Sequence, residues 1–325
     1  MASFPESSSP RSSRSFSQVF DDIVDNVSLV LRGKRSAIEL AVVALVADGH
    51  LLVEDVPGVG KTSLAKALAA SIDCTWKRAQ FTPDLLPSDL LGVSVWSRQQ
   101  ETFVFQQGPI FANIVLADEI NRASPKTQSA LLEAMEERQA TIDGITHSLP
   151  QPFLVIATQN PIEQDGTYRL PESQMDRFLI RMSIGYPNRE AEMEILEPSA
   201  GGANLAHLQP VTRAQEITAM IRAAGQVRMV DPLKAYLVEI AHASRRHPAL
   251  RLGLSPRATA QLARATRALA ASRGRDYTTP DDVKELAIPV LAHRLTIRHD
   301  HSSQGLTAAD IVTEIVASVP VPAGR

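Results

Sequence analysis

Residues 57 to 63 read Pro-Gly-Val-Gly-Lys-Thr-Ser, and these residue types suit the holding of phosphate. A nucleotide's phosphates need many hydrogen-bond donors at close range. Successive backbone N–H groups in a tight loop that runs into a helix N-terminus supply them. Gly58 and Gly60 let the backbone approach without a Cβ clash, Lys61 brings positive charge to the outer phosphates, and Thr62 offers a hydroxyl to magnesium. Pro57, Gly58, Val59, Gly60, Lys61, Thr62 and Ser63 are therefore the candidate nucleotide-binding loop. The general pattern G-x-x-x-x-G-K-[ST] asks for glycine at position 55, where this chain has Asp55. The wrapping amides run from Gly58 to Ser63, so position 55 falls at the end of the preceding strand, before the wrap. Aspartate tolerates turn geometry and bonds nearby amides. Its carboxylate should point away from the phosphates, because an unpaired like charge beside them would be costly. The competing reading is a helix-opening turn with coincidental glycines.

Two carboxylates, Asp118 and Glu119, stand at the tip of the apolar run Ile-Val-Leu-Ala. Beside a phosphate loop, the first can hold magnesium through water and the second can polarise an attacking water as general base. Taken alone, the pair is also what a solvated strand end looks like. A further apolar run, FLVIATQNP, ends at Thr158-Gln159-Asn160, where Asn160 can aim an amide at the terminal phosphate or the water. On its own, Asn-Pro is only a turn signal.

These groups need a scaffold that brings strand ends together. LLVED reads as a short buried strand, and SLAKALAASI follows as a helix with apolar residues at Leu64, Ala67, Leu68 and Ile72. Ile114 to Asp118, Phe153 to Thr158 and Phe178 to Ile184 read as three more interior strands. Helical stretches alternate with them, among them KTQSALLEAMEER, opened by Ser124 as cap and Pro125 in the first turn. Asp25 to Leu31 and Ser36 to Ala47 carry helical spacing ahead of the first strand, with a break at Gly33-Lys34. Strands alternating with helices predict a parallel sheet covered on both faces, an α/β fold.

Beyond Pro187 no strand signal returns. Glu197 to Pro210 reads as a linker. Asp231-Pro232, Ser255-Pro256 and Thr279-Pro280 then each announce a helix by a capping residue followed by proline, the second closed by Gly274. The expected plan is a disordered Ser/Arg-rich tail over residues 1–15, an α/β core over 16–190, a linker over 191–212 and a small all-α domain over 213–325.

With 325 residues, 44% hydrophobic and 21% charged, the chain sits in the ordinary globular range. A net charge of -3 gives no electrostatic footprint for bulk nucleic-acid binding. Cys74 is the only cysteine, so no intrachain disulfide forms, and a small buried apolar role is expected of it. No apolar run is long enough to cross a bilayer; the stretch from Ile38 to Ala47 is short and interrupted by Glu39. The N-terminus lacks the apolar core of a secretory signal, and although it faintly resembles a transit peptide, it reads better as a disordered tail. A cytoplasmic location is the expectation.

Five stretches together resemble one family: EDVPGVGKT, QFTPDLLPSDLLG, FQQGPIFANIVLADEINRASPKTQSALLEAMEERQATIDG, FLVIATQNPIEQDGTYRLPESQMDRFLIR and LSPRATAQLARATRALAASRGRDYTTPDDV. The chain resembles the MoxR family of AAA+ ATPases from about Gly33 to Arg294, and that family commonly carries Asp at the position of Asp55. The resemblance implies an AAA+ core with a helical lid. It gives Lys61 and Thr62 the Walker A roles, Asp118 and Glu119 the Walker B roles, and Asn160 the sensor 1 role. Arg177, in Asp-Arg-Phe, resembles the arginine finger that reaches a neighbouring subunit's nucleotide, with Arg169 and Arg181 as weaker candidates. Arg177 also follows Asp176 and fits a structural salt bridge. Arg257, in Ser-Pro-Arg, resembles sensor 2. It sits in the first turn of a helix, where the macrodipole disfavours a cation by roughly 0.3–1 kcal/mol, a cost easier to understand if it meets phosphate than if it extends into solvent. Phe81 to Gly108 resembles the helix-2 insert, and Glu137 to Pro150 the hairpin before sensor 1. Gly33-Lys34 stands where the family usually has Gly-Gln near the adenine.

The resemblance further implies ATP hydrolysis with Mg2+, assembly into a homo-oligomeric ring of six subunits, and chaperone-like action on a client together with a partner that carries a von Willebrand factor A domain. Three other readings compete. A magnesium-chelatase-type motor subunit shares the insert and the Asn-Pro sensor. A DNA-acting motor is disfavoured by the lack of basic excess, including in WSRQQETFVF. A nucleotide switch without turnover is disfavoured by the intact Asp118-Glu119 pair.

Overall fold

The computed structural model describes residues 14–161, 168, 170–187, 189, 192, 193, 205, 207–302 and 305–322. Helices α1 (Phe16–Ser28) and α2 (Arg35–Val46) precede the first strand, β1 (Leu51–Glu54). Then come α3 (Lys61–Ile72), β2 (Trp76–Gln80), α4 (Pro87–Leu91), a hairpin of β3 (Gly92–Ser97) and β4 (Thr102–Gln107), and β5 (Ile114–Asp118). Helix α5 (Pro125–Glu137) leads to a second hairpin, β6 (Gln139–Ile142) and β7 (Ile145–Ser148), then β8 (Leu154–Gln159), the short α6 (Glu172–Met175) and β9 (Ile180–Met182).

Five of these strands form one sheet in the order β2-β5-β8-β1-β9, every pair parallel. The alternating pleat explains how apolar runs serve two faces. Leu51, Val53, Ile114, Leu116, Leu154 and Ile156 pack in one core with α1, α2 and α3, while Leu52, Val115, Ala117, Val155 and Ala157 pack in another with α5, Phe81 and Leu90. Strand β1 lies inside the sheet with later strands on both sides. The crevice beyond its C-terminal end is thus a topological switch point, where open α/β sheets bind ligands.

Where the sequence announces three helices in the lid, the described residues hold five of eight residues or more: α7 (Ala214–Gly225), α8 (Asp231–Arg246), α9 (Pro256–Ser272), α10 (Pro280–Leu291) and, near the C-terminus, Ala308–Ser318. Ser255 caps α9 by accepting from the Ala258 N–H, and Thr279 forms a capping box with Asp282. Asp231 is not a cap. Val230 holds that position, and Asp231 instead pairs with Lys234 at 2.8 Å. The expectation of no strand beyond Pro187 fails at one place: Leu250–Leu252 pairs antiparallel with Thr296–Ile297. Segments of three and two residues carry no readable alternation.

The lid shares a continuous apolar core with α1 to α3, including Ala258, Leu262 and Ala265. Arg14 and Ser15, placed in the tail by sequence, belong to the fold: Arg14 pairs with Asp22 at 3.0 Å and Glu216 at 2.9 Å, and Ser15 caps α1. Residues 1–13, most of the expected linker and Arg169 lie outside the described residues. Cys74 is half-buried against the core, and burial pushes its thiol up to about 12.

Candidate nucleotide site

The loop after β1 turns twice through the left-handed region, at Gly58 (φ 89°) and Gly60 (φ 98°), and Gly60 is the N-cap of α3. Both values suit glycine, and they leave the first amides of α3 without a side-chain cap. A cavity of about 360 Å3 opens there, lined by Pro57, Gly58, Gly60, Lys61, Thr62, Ser63, Arg78, Asp118 and Glu119. Val59, the remaining loop residue, is buried in the core behind the wrap. Lys61 donates from Nζ to the Asp55 carbonyl at 2.8 Å.

Asp55 faces away from this cavity. Its carboxylate accepts from Ser183 Oγ at 2.8 Å, from the Ile184 N–H at 2.5 Å and more loosely from the Gly185 N–H. It pins the segment that follows β9 to the end of β1.

Asp118 ends β5, and both of its oxygens are engaged. Oδ1 accepts from Thr158 Oγ1 at 2.6 Å; Oδ2 accepts from Arg78 through Nη2 at 2.6 Å and Nε at 3.1 Å. Glu119 has φ 57°, in the left-handed region that residues with a Cβ seldom adopt. Its N–H donates to Thr158 Oγ1 at 2.9 Å, so one fully buried hydroxyl holds both the Asp118 carboxylate and the Glu119 backbone. Glu119 Oε2 accepts from Gln80 Nε2 and Arg122 Nη1, each at 2.9 Å. Asn160 is buried directly after β8, whose Gln159 pairs with Glu54, so it sits at the same sheet edge. Thr62 and Asp118 bring hard oxygen donors to one cavity beside the phosphate loop, a donor set that fits magnesium.

The two arginines are elsewhere. The Leu179 N–H donates to the carbonyl of His50, just before β1, so the Asp176–Phe178 segment meets the sheet where its strands begin. The phosphate loop leaves where β1 ends. Four strand residues at about 3.3 Å each separate the two levels by roughly 13 Å. Arg177 donates from Nε to Glu136 Oε2 at 2.8 Å, and Arg257 from Nη1 to Glu136 Oε1 at 2.5 Å. This double pairing holds the Glu136 carboxyl below the usual range, first through Arg177 and then through Arg257. Asp176, next in sequence, takes Arg294 Nε at 2.7 Å and Ser255 Oγ at 3.3 Å, and its carbonyl takes Gln261 at 3.0 Å. The lid is thereby fastened to the Arg177 segment. Arg181 lies on β9, facing Glu54 at 3.4 Å, and Lys34 donates to the Tyr186 carbonyl.

Comparison with known proteins agrees with this geometry. Residues 50–180 match the ATPase family associated with various cellular activities (AAA), and residues 242–315 match the AAA lid domain. The chain is 48% identical to the uncharacterized protein YeaC of Bacillus subtilis, over 93% of this chain and 94% of that one. It is 38% identical to Chaperone MoxR1 of Mycobacterium tuberculosis, over 91% of this chain and 80% of that protein. The chain belongs to the MoxR family of AAA+ ATPases. A solved structure of a protein assigned as an ATPase from Cytophaga hutchinsonii superposes with a TM-score of 0.88 at 35% identity, covering 95% of this chain and 96% of that one.

Within this MoxR-family chain, the fold reveals residues that sequence reading did not single out. Arg78 and Gln80 come from β2, an edge strand whose side chains are mostly exposed and carry no apolar alternation. In the sequence Thr158 is marked only as part of a strand tip. Glu136 is a surface position on an amphipathic helix, and nothing in its spacing links it to Arg177 or Arg257. No helix among the described residues is long and apolar enough to cross a membrane.

Proposed function

We propose that this MoxR-family chain hydrolyses ATP with Mg2+ as one subunit of a homo-oligomeric ring, six subunits by resemblance, and uses the cycle to remodel a client protein. The observation that carries this reading is the separation of parts. One end of the sheet gathers the phosphate loop and the Asp118-Glu119 pair in a single cavity, and the other presents Arg177 and Arg257 together on Glu136.

The loop amides and Lys61 bind and orient the phosphates. Thr62 and Asp118 would hold the metal, which neutralises charge between the phosphates when bound. Glu119 takes the proton of the attacking water, and Asn160 orients that water. Neither Arg177 nor Arg257 lines the cavity of its own chain, so both are assigned to the nucleotide of a neighbour. Guanidiniums at that position offset charge that grows in the transition state. The remodelling role rests on kinship with a relative named as a chaperone; a partner with a von Willebrand factor A domain and a cytoplasmic setting belong to the same proposal.

The test is ATPase rate per subunit against protein concentration, with Glu119→Gln as the inactive control and Arg177→Ala mixed with Lys61→Ala as the trans control. Activity should rise with assembly, and the two inactive variants should restore partial activity to each other. A wild type silent at every concentration sinks the hydrolase reading. A rate that stays flat while the assembly dissociates sinks the trans assignment alone.

A further inference from the structure

Arg78 is a cation resting on the carboxylate that magnesium would use. Its guanidinium grips Asp118 Oδ2 with two nitrogens, at 2.6 and 3.1 Å, and Nη2 also donates to Gln80 Oε1 at 2.6 Å. Gln80 in turn donates to Glu119. The other Asp118 oxygen is committed to the buried hydroxyl of Thr158, so Oδ2 is the oxygen left for a metal-bound water. The Arg78 side chain is 47% exposed while that of Asp118 is 12% exposed, so the arginine has room to move and the carboxylate has not.

We propose that Arg78 is a positioning residue, the resident counter-ion of Asp118, which the magnesium–nucleotide complex displaces. The inference rests on the nucleotide reading of this cavity. Before the metal arrives, Arg78 neutralises a poorly hydrated carboxylate that would otherwise face the incoming phosphates. When the metal arrives, two cations compete for one oxygen and the guanidinium moves aside. The arrangement keeps Asp118 capped until metal and nucleotide are present together.

The experiment is a Mg2+ titration of fluorescent ADP binding to the full chain, in wild type, Arg78→Gln and Arg78→Lys, with binding in EDTA and thermal unfolding measured alongside. ADP avoids turnover. In Arg78→Gln the half-saturating Mg2+ concentration should fall about fivefold, the scale of a half-exposed ion pair, with affinity in EDTA little changed. Arg78→Lys keeps the charge but loses the two-nitrogen grip, and should fall between the other two. An unchanged or raised half-saturation in Arg78→Gln overturns the proposal. So does a loss of affinity equal with and without Mg2+, which would make Arg78 a phosphate ligand. A lysine variant identical to wild type reduces the effect to through-space charge and also overturns displacement. If Arg78→Gln does not fold, a crystal structure of the wild-type chain with Mg2+ and ADP decides, and an intact Arg78–Asp118 contact there refutes the idea. A wild type that binds ADP but ignores Mg2+, or binds no ADP, removes the nucleotide reading as well, which separates the two failures.

Discussion

Replacing Asp55 by glycine restores the general phosphate-loop pattern and should weaken the protein without silencing the site. The carboxylate accepts from Ser183, Ile184 and Gly185. Ser183 is exposed, so its hydroxyl finds water when the partner goes, and the Gly185 contact is already long at 3.3 Å. The loss falls on the buried Ile184 N–H, whose acceptor is charged and 2.5 Å away. An orphaned buried donor costs about 1–3 kcal/mol, and added chain freedom at glycine about 0.5–1 kcal/mol more. At about 2.1 cal/mol/K of unfolding entropy per residue, a total near 3 kcal/mol corresponds to a fall in Tm of roughly 4–5 °C in a chain of 325 residues. The loop amides and Lys61 are not touched by the carboxylate, so ADP affinity at low temperature should stay within about threefold of wild type. Scanning calorimetry and fluorescent ADP titration on the same preparation read both quantities. Loss of ADP binding with an unchanged Tm would refute the reasoning, because it would place the carboxylate at the nucleotide rather than at the end of β9.

Lys61→Ala should abolish ADP binding in the same titration, since it removes the loop's only cation and leaves Tm nearly unchanged. Thr158→Val removes the hydroxyl that orients Asp118 and exposes the Glu119 N–H to an apolar neighbour; turnover should drop at least about tenfold while ADP binding in EDTA persists, and equal loss of both would show a general packing defect instead. Glu136→Gln should shift the acid limb of stability. Because the Glu136 carboxyl is held low by Arg177 and Arg257, its contribution is complete above the ordinary glutamate value of 4.5 and fades as pH falls through the depressed one. Urea unfolding of wild type and variant should converge below that range and differ above it by at most about 1 kcal/mol, since the groups are partly exposed. A difference that grows towards acid pH would contradict the sign.

The three central strands were readable because burial on both faces makes them continuous apolar runs. Ile114 to Asp118 is found as read, and β8 is displaced by one residue from its expected bounds. Strand β2 escaped for the opposite reason. Trp76–Gln80 lies on the sheet edge with Lys77, Arg78 and Gln80 exposed, so no hydrophobic period marks it. With no sign of that strand, Arg78 and Gln80, two of the side chains that hold the acidic pair, carry no sign either. The phosphate loop and its carboxylates were legible because backbone donors and metal chemistry tie residue type to local spacing. The Arg177–Glu136–Arg257 cluster was not, because its members lie 41 and 121 positions apart and meet only through the packing of lid on core.

The opposite placement of the cavity and the arginine pair has a genetic consequence if the chains close into a ring as proposed. Each chain then contributes half of two different sites, one shared with each neighbour. A mutant with a dead cavity still lends its arginines onward, and a mutant without arginines still offers its cavity. Two null alleles of opposite type, expressed in one cell, would complement each other, whereas two of the same type would not. A single defective allele would silence one site for each subunit it places in a mixed ring, so activity would fall in proportion to its share and the wild-type allele would not be poisoned.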